Sequence, residues 1–330
     1  MATQTLSRAF YRALDTMLLV EQGVTPSGGE DSFVRALGTD SALLGVFDGC
    51  GGLGSRTYAD LSGHTGAYLA ARAASGAVYD WYHALTAAQL SDPDALCGAM
   101  RERLDAALAI VKAQGRQTLR VRGTMVRDFP TTAAVALAKG DEDGVTLDLI
   151  WAGDSRVYLI DADGLHQLTE DDLDGEDALS NLTHDGALTN VIAADGNYIL
   201  HHKRLTLSRP AVIFAATDGV FGYIRTPMEF EWLLLRVLRD AETPTLFAAR
   251  LKAILAEVAG DDFTLALMSF YFGDFDAMRQ TFSPRVQALE RDYVRPLHKK
   301  RTEALQAALW ADYRRGYERY LMVPGGSTYG

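Results

Sequence analysis

The sequence predicts an α+β protein built in layers, and three observations carry that prediction. Short apolar runs of strand character recur near residues 31–48, 131–161, 210–219 and 261–272. Two segments between the first and second of these runs show the 3.6-residue spacing of helices. Further helical spacing follows the later strands, so the order lacks the regular βαβ alternation of a doubly wound sheet.

Residues 31–48 read as two strands, DSFVRAL and SALLGVF, joined by a turn at Gly38-Thr39-Asp40. Residues 55–83 are alanine-rich, with apolar spacing suited to a helix that Gly63, Gly66 and Gly76 weaken. The next helix is better marked. Asp92 can cap it, Pro93 takes the first helical position, and Leu96, Met100, Leu104, Leu108 and Val111 repeat on one face up to Gly115. TTAAVALAKG (131–140) and VTLDLIWAGDSRVYLID (145–161) read as strands around the acidic turn Asp141-Glu142-Asp143-Gly144. A polar, irregular section follows at 169–190. PAVIFAATDG (210–219) is a buried strand, Thr243-Pro244 opens a helix that Gly260 closes, and DDFTLALMSFYF (261–272) is the last strand.

Beyond Gly273 the character changes. Ser283-Pro284 reads as a cap and first turn, with Val286, Leu289, Tyr293 and Leu297 at helical spacing. Past Pro296 the stripe resumes at Leu305, Leu309, Tyr313, Tyr317 and Tyr320, which predicts a long helix, kinked or broken. Nine Lys/Arg against five Asp/Glu lie between 283 and 320, in a chain whose formal net charge is −11. A basic amphipathic tail is therefore expected to pack on an acidic body or to form a partner surface. The division is drawn as 1–273 for the body and 274–330 for the tail. The final PGGSTYG is expected to be mobile.

A chain of 330 residues with 48% hydrophobic residues can bury a substantial core as one large domain or two. It contains no run of about 18 apolar residues that would span a membrane. Its first residues show no signal-peptide pattern. Two cysteines, Cys50 and Cys97, argue against a disulfide framework and fit a reducing, cytoplasmic setting. The negative charge disfavours nucleic acid as the main partner.

The informative feature is where the carboxylates sit. Asp48 and Asp218 each end an apolar strand and are followed by glycine, Asp154 follows a third apolar run, and Asp261 opens the last strand. Glu30-Asp31 stand at the start of the first strand. Singly, each reads as a turn or cap residue. Together, carboxylates at the ends of adjacent strands would converge on one sheet edge, repel one another and take up protons unless cations lie between them. Such an all-oxygen set suits hard ions like Mg²⁺ or Mn²⁺.

The order Glu30-Asp31, GVFDGCGG, TTAAVAL, WAGDSRVYLI, FAATDGVFGYI and GDDFTLAL resembles the metal-dependent type 2C (PPM family) Ser/Thr protein phosphatases, over about residues 28–272. The resemblance implies two packed, mainly antiparallel β-sheets flanked by α-helices, with a metal site at one end. It implies that Asp48 bridges two ions, that the Gly49 carbonyl binds one, and that Asp218 and Asp261 are further ligands. Glu30 and Asp31 match the acidic pair at the second ion, and Asp154 matches a residue at a weaker third ion. Asp48 and Asp218 are the implied catalytic residues, acting in hydrolysis of phosphoserine or phosphothreonine by a metal-bridged hydroxide. Phosphoprotein substrates and a cognate Ser/Thr kinase are the implied partners.

Three departures stand out. Cys50 replaces the histidine of the common DGHGG; it reads as a packing residue, with a redox thiol or a soft-metal contact as the alternatives. VTPSGGED lacks the arginine that clamps substrate phosphate in many members, with Arg35 and Arg56 as candidate replacements. Pro130 stands before Thr131-Thr132, where glycine is usual, and the section 162–209 is short and acidic, which implies altered substrate selection. Two other readings follow: a phosphatase-like docking module with weak or no activity, and a metal-dependent hydrolase of small phosphate esters.

Overall fold

A computed structural model describes residues 10–24, 29–115, 127–141, 144–174, 187–321 and 326–329. Its strands, in chain order, are β1 (Leu14–Gln22), β2 (Ser32–Leu37), β3 (Ser41–Phe47), β4 (Thr57–Tyr58), β5 (His64–Thr65), β6 (Ala133–Asp141), β7 (Gly144–Ala152), β8 (Arg156–Asp161), β9 (Gly164–Gln167), β10 (Leu200–Leu207), β11 (Ala211–Ala216), β12 (Phe263–Phe270) and β13 (Gly326–Tyr329). One sheet runs β1-β12-β11-β8-β9 and the other β13-β10-β7-β6-β3-β2, while β4 and β5 form a small hairpin. The pairings are antiparallel.

The sheets stack through small and branched residues that alternate along each strand. Leu44, Val46, Ala134, Ala136, Leu147 and Leu149 of one sheet meet Val157, Ile213, Ala215, Ala266 and Met268 of the other. Helices α1 (Gly66–Ala84) and α3 (Pro93–Gln114), with the short α2 (Ala87–Ser91) between them, cover the outer face of the β2–β3–β6–β7 sheet. The opposite outer face carries α5 (Pro227–Asp240), α6 (Pro244–Val258) and the tail. The short α4 (Asp218–Phe221) follows β11. The expected sandwich of two sheets between helical layers is what the chain forms.

Local signals act as expected where they are strong. Asp92 caps α3 by accepting from Asp94 N, with Pro93 in the first turn and Leu96, Met100, Leu104 and Leu108 buried. Thr243 caps α6 in the same way. Other readings need correction. The segment 55–65 is a small hairpin and a short 3₁₀ turn rather than helix, and α1 starts only at Gly66, where Thr65 caps it. The run 145–161 is two strands in different sheets. Gly153, at φ +94°, turns the chain sharply between them, a conformation that glycine adopts without a Cβ clash. Strands β1, β9 and β10 and helix α5 are additions to the predicted set. Part of the irregular 169–190 section lies outside the described residues.

The first helix of the tail starts earlier than its sequence suggests. Asp274, not Ser283, caps α7 (Phe275–Leu289), and Pro284 lies inside that helix. A π-helical turn at Glu290–Val294 leads into α8 (Arg295–Lys299), and Thr302 caps α9 (Glu303–Tyr317). The helix is therefore broken, as expected, but between α8 and α9 rather than at Pro296. Met278, Phe282, Val286, Leu289, Leu297, Trp310, Tyr313 and Tyr317 are buried in one core with Tyr158, Phe214 and Phe230. Arg285 pairs with Glu231 at 2.7 Å and Arg319 with Asp161 at 3.2 Å, so basic tail meets acidic body. Gly326–Tyr329 pairs with β10 as an edge strand, which corrects the expectation of a mobile end. Among the described residues no helix is long and apolar enough to cross a membrane.

Candidate metal centre

The antiparallel registers bring the singled-out carboxylates to one end of the sandwich. Ser32 pairs with Phe47, so the segment before β2 lies beside the segment after β3. Ala216 pairs with both Leu265 and Arg156, which sets the end of β11 beside the starts of β12 and β8. Glu30, Asp48, Gly49, Asp154, Asp218 and Asp261 consequently line one cavity of about 440 Å³, together with Cys50 and Asp262. Asp31 lies behind that lining, beside Asp48 and Asp218.

Close backbone approach explains both Asp-Gly pairs better than turn geometry does. A Cβ on Gly219 would fall 1.9 Å from the Asp262 carbonyl oxygen, and one on Gly49 would fall 2.7 Å from the Ala67 carbonyl. Gly49 bridges to Thr131. The bridging bonds are made by its neighbours, Cys50 N to Pro130 O at 3.2 Å and Thr132 N to Asp48 O at 2.8 Å. Gly49's own carbonyl is thereby left out of the ladder.

A set of hydroxyls and one carboxylate fixes the acidic residues. Thr131 Oγ1 donates to the Asp48 carbonyl at 2.8 Å, and Thr132 Oγ1 accepts from Asp48 N at 3.2 Å. Thr217 Oγ1 donates to Asp31 Oδ2 at 2.8 Å, and Thr65 Oγ1 donates to Glu30 Oε1. Asp262 accepts from Val24 N at 2.6 Å and from Glu30 N at 2.5 Å, so it clamps the acidic loop in place. Behind Asp154, Arg156 is buried on Asp171 at 2.6 Å, and Asp172 accepts from Gly153 N at 2.9 Å. Thr131, Thr132, Arg156, Thr217 and Asp262 fall inside TTAAVAL, WAGDSRVYLI, FAATDGVFGYI and GDDFTLAL, but the sequence assigns none of them a supporting role.

Burial and mutual repulsion raise the carboxyl pKa values throughout. Burial, then the charges of Asp218, Asp31 and Asp154, pushes Asp48 well above the ordinary carboxylate range. Burial first, and Asp218 after it, carries Asp31 and Asp154 up to about 8. Asp218 rises through burial and the charge of Asp261, while Glu30 and Asp261 rise mainly through burial. Among the described residues no Lys or Arg lines the cavity. The donors are hard oxygens and their charge is unbalanced, so the residues fit a divalent cation of the Mg²⁺ or Mn²⁺ class. They do not yet form a closed shell: among the described residues no three His, Cys, Asp or Glu side chains stand at metal-ligating spacing.

The departures also find places. Arg35 is exposed in the middle of β2, and Arg56 pairs with Asp128 at 3.3 Å; neither lines the cavity. Burial and the Asp48 charge push the Cys50 thiol well up, which leaves it protonated rather than a reactive thiolate. Phe129, before Pro130, holds φ +56° while stacked on Tyr58 at 4.7 Å.

A family model described as protein phosphatase 2C matches residues 29–256. The fold is similar to the crystal structure of the serine/threonine phosphatase Stp1 from Staphylococcus aureus, with a TM-score of 0.57 and 16% identity over 78% of this chain and 96% of that one. It is also similar to the Mycobacterium tuberculosis serine/threonine phosphatase PstP/Ppp, with a TM-score of 0.52, 16% identity, and coverage of 78% and 98%. A structure of the PstP catalytic domain in complex with two manganese ions gives a TM-score of 0.50 at 17% identity, over 78% and 99%. At such identities the likeness is one of fold. No curated protein matches the sequence.

Proposed function

Because the chain belongs to the protein phosphatase 2C family, we propose that it hydrolyses phosphoserine and phosphothreonine in proteins with the help of divalent metal ions. The supporting observation is the convergence of Glu30, Asp48, Asp154, Asp218 and Asp261 on one cavity, with Asp31 behind them. In this reading Asp48, the Gly49 carbonyl, Asp218 and Asp261 would hold two Mg²⁺ or Mn²⁺ ions, with Asp48 shared between them. Glu30 and Asp31 serve the second ion, and Asp154 a more weakly held third. The two manganese ions of the PstP structure support the number. Such ions would supply charge neutralisation and a water of lowered pKa for attack on phosphorus.

The chain's own residues hold the constellation still. Thr131 and Thr132 fix the backbone of Asp48, Thr217 orients Asp31, and Asp262 holds the loop that carries Glu30. Phosphoproteins are the substrates in this reading, a Ser/Thr kinase is the functional counterpart, and the cytoplasm is the setting. Residues 1–273 carry the chemistry and 274–330 adapt it.

A second reading, a phosphatase-like docking module, is favoured by one observation: no basic side chain among the described residues lines the cavity to receive a phosphate. Phosphate release from a phosphothreonine peptide separates the two. Turnover that requires Mn²⁺, stops in EDTA and is lost in Asp218→Asn supports the enzyme. A folded, Mn²⁺-binding protein without turnover supports the docking module.

A further inference from the structure

A second cavity, of about 370 Å³, lies between the start of α5 and the tail, lined by Arg225, Glu229, Leu297, His298 and Arg301. Its charge runs against that of the whole chain. Glu229 is the one carboxylate in the lining, and it is already engaged by Arg301, by Thr226 Oγ1 at 2.9 Å and by His298 Nε2 at 3.5 Å. Arg225 is exposed, and among the described residues it has no hydrogen-bond or ion-pair partner. Two guanidiniums and an imidazole thus surround a single, occupied carboxylate. A guanidinium left free in a recess offers a planar fork of donors that matches phosphate or carboxylate oxygens.

Position links this recess to the acidic centre. Arg225 follows Asp218 by seven residues, which bounds their Cα separation at about 25 Å. Tyr223, between them, packs against Gly260: a Cβ there would fall 2.8 Å from its ring, and Asp261 comes next in the chain. Leu297, His298 and Arg301 belong to the tail, beyond residues 29–256 that match the family.

We propose that this recess binds a second anionic group of the phosphopeptide substrate, a phosphoryl or an acidic side chain within about seven residues of the scissile phosphate. The proposal rests on the phosphatase reading and gives the tail a part in substrate choice.

The test uses the full chain and three phosphothreonine peptides, carrying a phosphoserine, a glutamate pair or neutral residues about seven positions away, the reach set by extended backbone. Binding is measured by fluorescence anisotropy in EDTA, and KM with Mn²⁺. Wild type is expected to favour one or both anionic peptides by roughly tenfold, the scale of one charge-assisted contact. Arg225→Glu should abolish that preference, with an unchanged melting temperature and unchanged kcat on a small phosphate ester. Comparison of the phosphoserine and glutamate arms identifies the preferred group. Equal binding and equal KM for all three peptides in wild type, or a preference that survives Arg225→Glu, overturns the proposal. Absence of Mn²⁺-dependent turnover would instead strike the phosphatase reading, while the binding arm in EDTA still decides the recess.

Discussion

The hydroxyl of Thr217 donates to Asp31 Oδ2 at 2.8 Å and accepts from the amide of Thr264 at 2.9 Å, so one buried side chain joins the ends of β11 and β12 to the carboxylate before β2. Valine has nearly the same shape but can do neither. Thr217→Val should leave a buried amide and a buried carboxyl oxygen short of partners, at a cost of about 2–3 kcal/mol. Thr217→Ser should recover most of it. Urea unfolding of the three proteins checks this; equal midpoints for valine and threonine would refute it.

Asp48 presents the opposite case, a half-buried carboxyl under pressure from desolvation and from the charges of Asp218, Asp31 and Asp154. Asp48→Asn removes a group whose ionised form the metal-free fold resists. The variant should melt above wild type in EDTA, gain nothing from Mn²⁺, and lose turnover. A lower melting temperature in EDTA would mean that the carboxyl stabilises the fold even without metal.

The pH dependence follows from Asp31 and Asp154, whose carboxyls move from 3.8 up to about 8 on folding, chiefly through burial. A raised folded pKa means that the folded state binds more protons between those values. The stability contributed is complete below the unfolded pKa and is lost as pH rises through about 8. In EDTA the melting temperature should therefore fall from about pH 5 to about pH 8.5. Mn²⁺ should flatten the fall and release protons as it binds, which calorimetry in buffers of different ionisation enthalpy reads directly. A flat profile in EDTA would contradict the electrostatic account.

Arg156 is 1% exposed and rests on Asp171, with Tyr158 Oη accepting at 3.0 Å. Arg156→Met strands Asp171 in the core and should cost about 3–5 kcal/mol. The double change Arg156→Met with Asp171→Asn should recover part of that loss. If the single variant unfolds at the wild-type denaturant midpoint, the pair has no structural weight.

What could be read from the sequence depended on whether the cause was local. Asp48 and Asp218 were legible because an apolar strand, a carboxylate and a glycine stand together in the chain. α3 was legible from its cap, its proline and its stripe. β10, LHHKRLTL, was not, because His202 and Lys203 look like surface residues yet are 2% and 6% exposed; His202 bonds Asp148 at 2.7 Å. The start of α7 was missed because Ser283-Pro284 imitates a cap, although Asp274 already supplies one. The clamp by Asp262 joins residues 238 and 232 positions apart, a distance at which no spacing rule operates.

Removal of residues 274–330 supplies a test of the tail. Glu231 is fully buried in α5 and accepts from Arg285 at 2.7 and 2.8 Å and from Tyr313 Oη at 2.6 Å, both partners being in the tail. The truncated chain would keep this carboxylate beneath a bared apolar face. It should lose cooperative thermal unfolding and aggregate. A soluble fragment with wild-type melting would show that the tail is dispensable to the fold.

Glu231, Arg285 and Tyr313 also constrain how this chain can diverge. A glutamate at 231 is tolerable only while its two partners persist, and Arg285 in that position is tolerable only opposite an acid. Related chains that share this tail are expected to vary at the three positions together. Those that lack it are expected to carry an uncharged residue at 231. The tail is therefore expected to be gained or lost together with residue 231, which would mark its presence in the body of the protein.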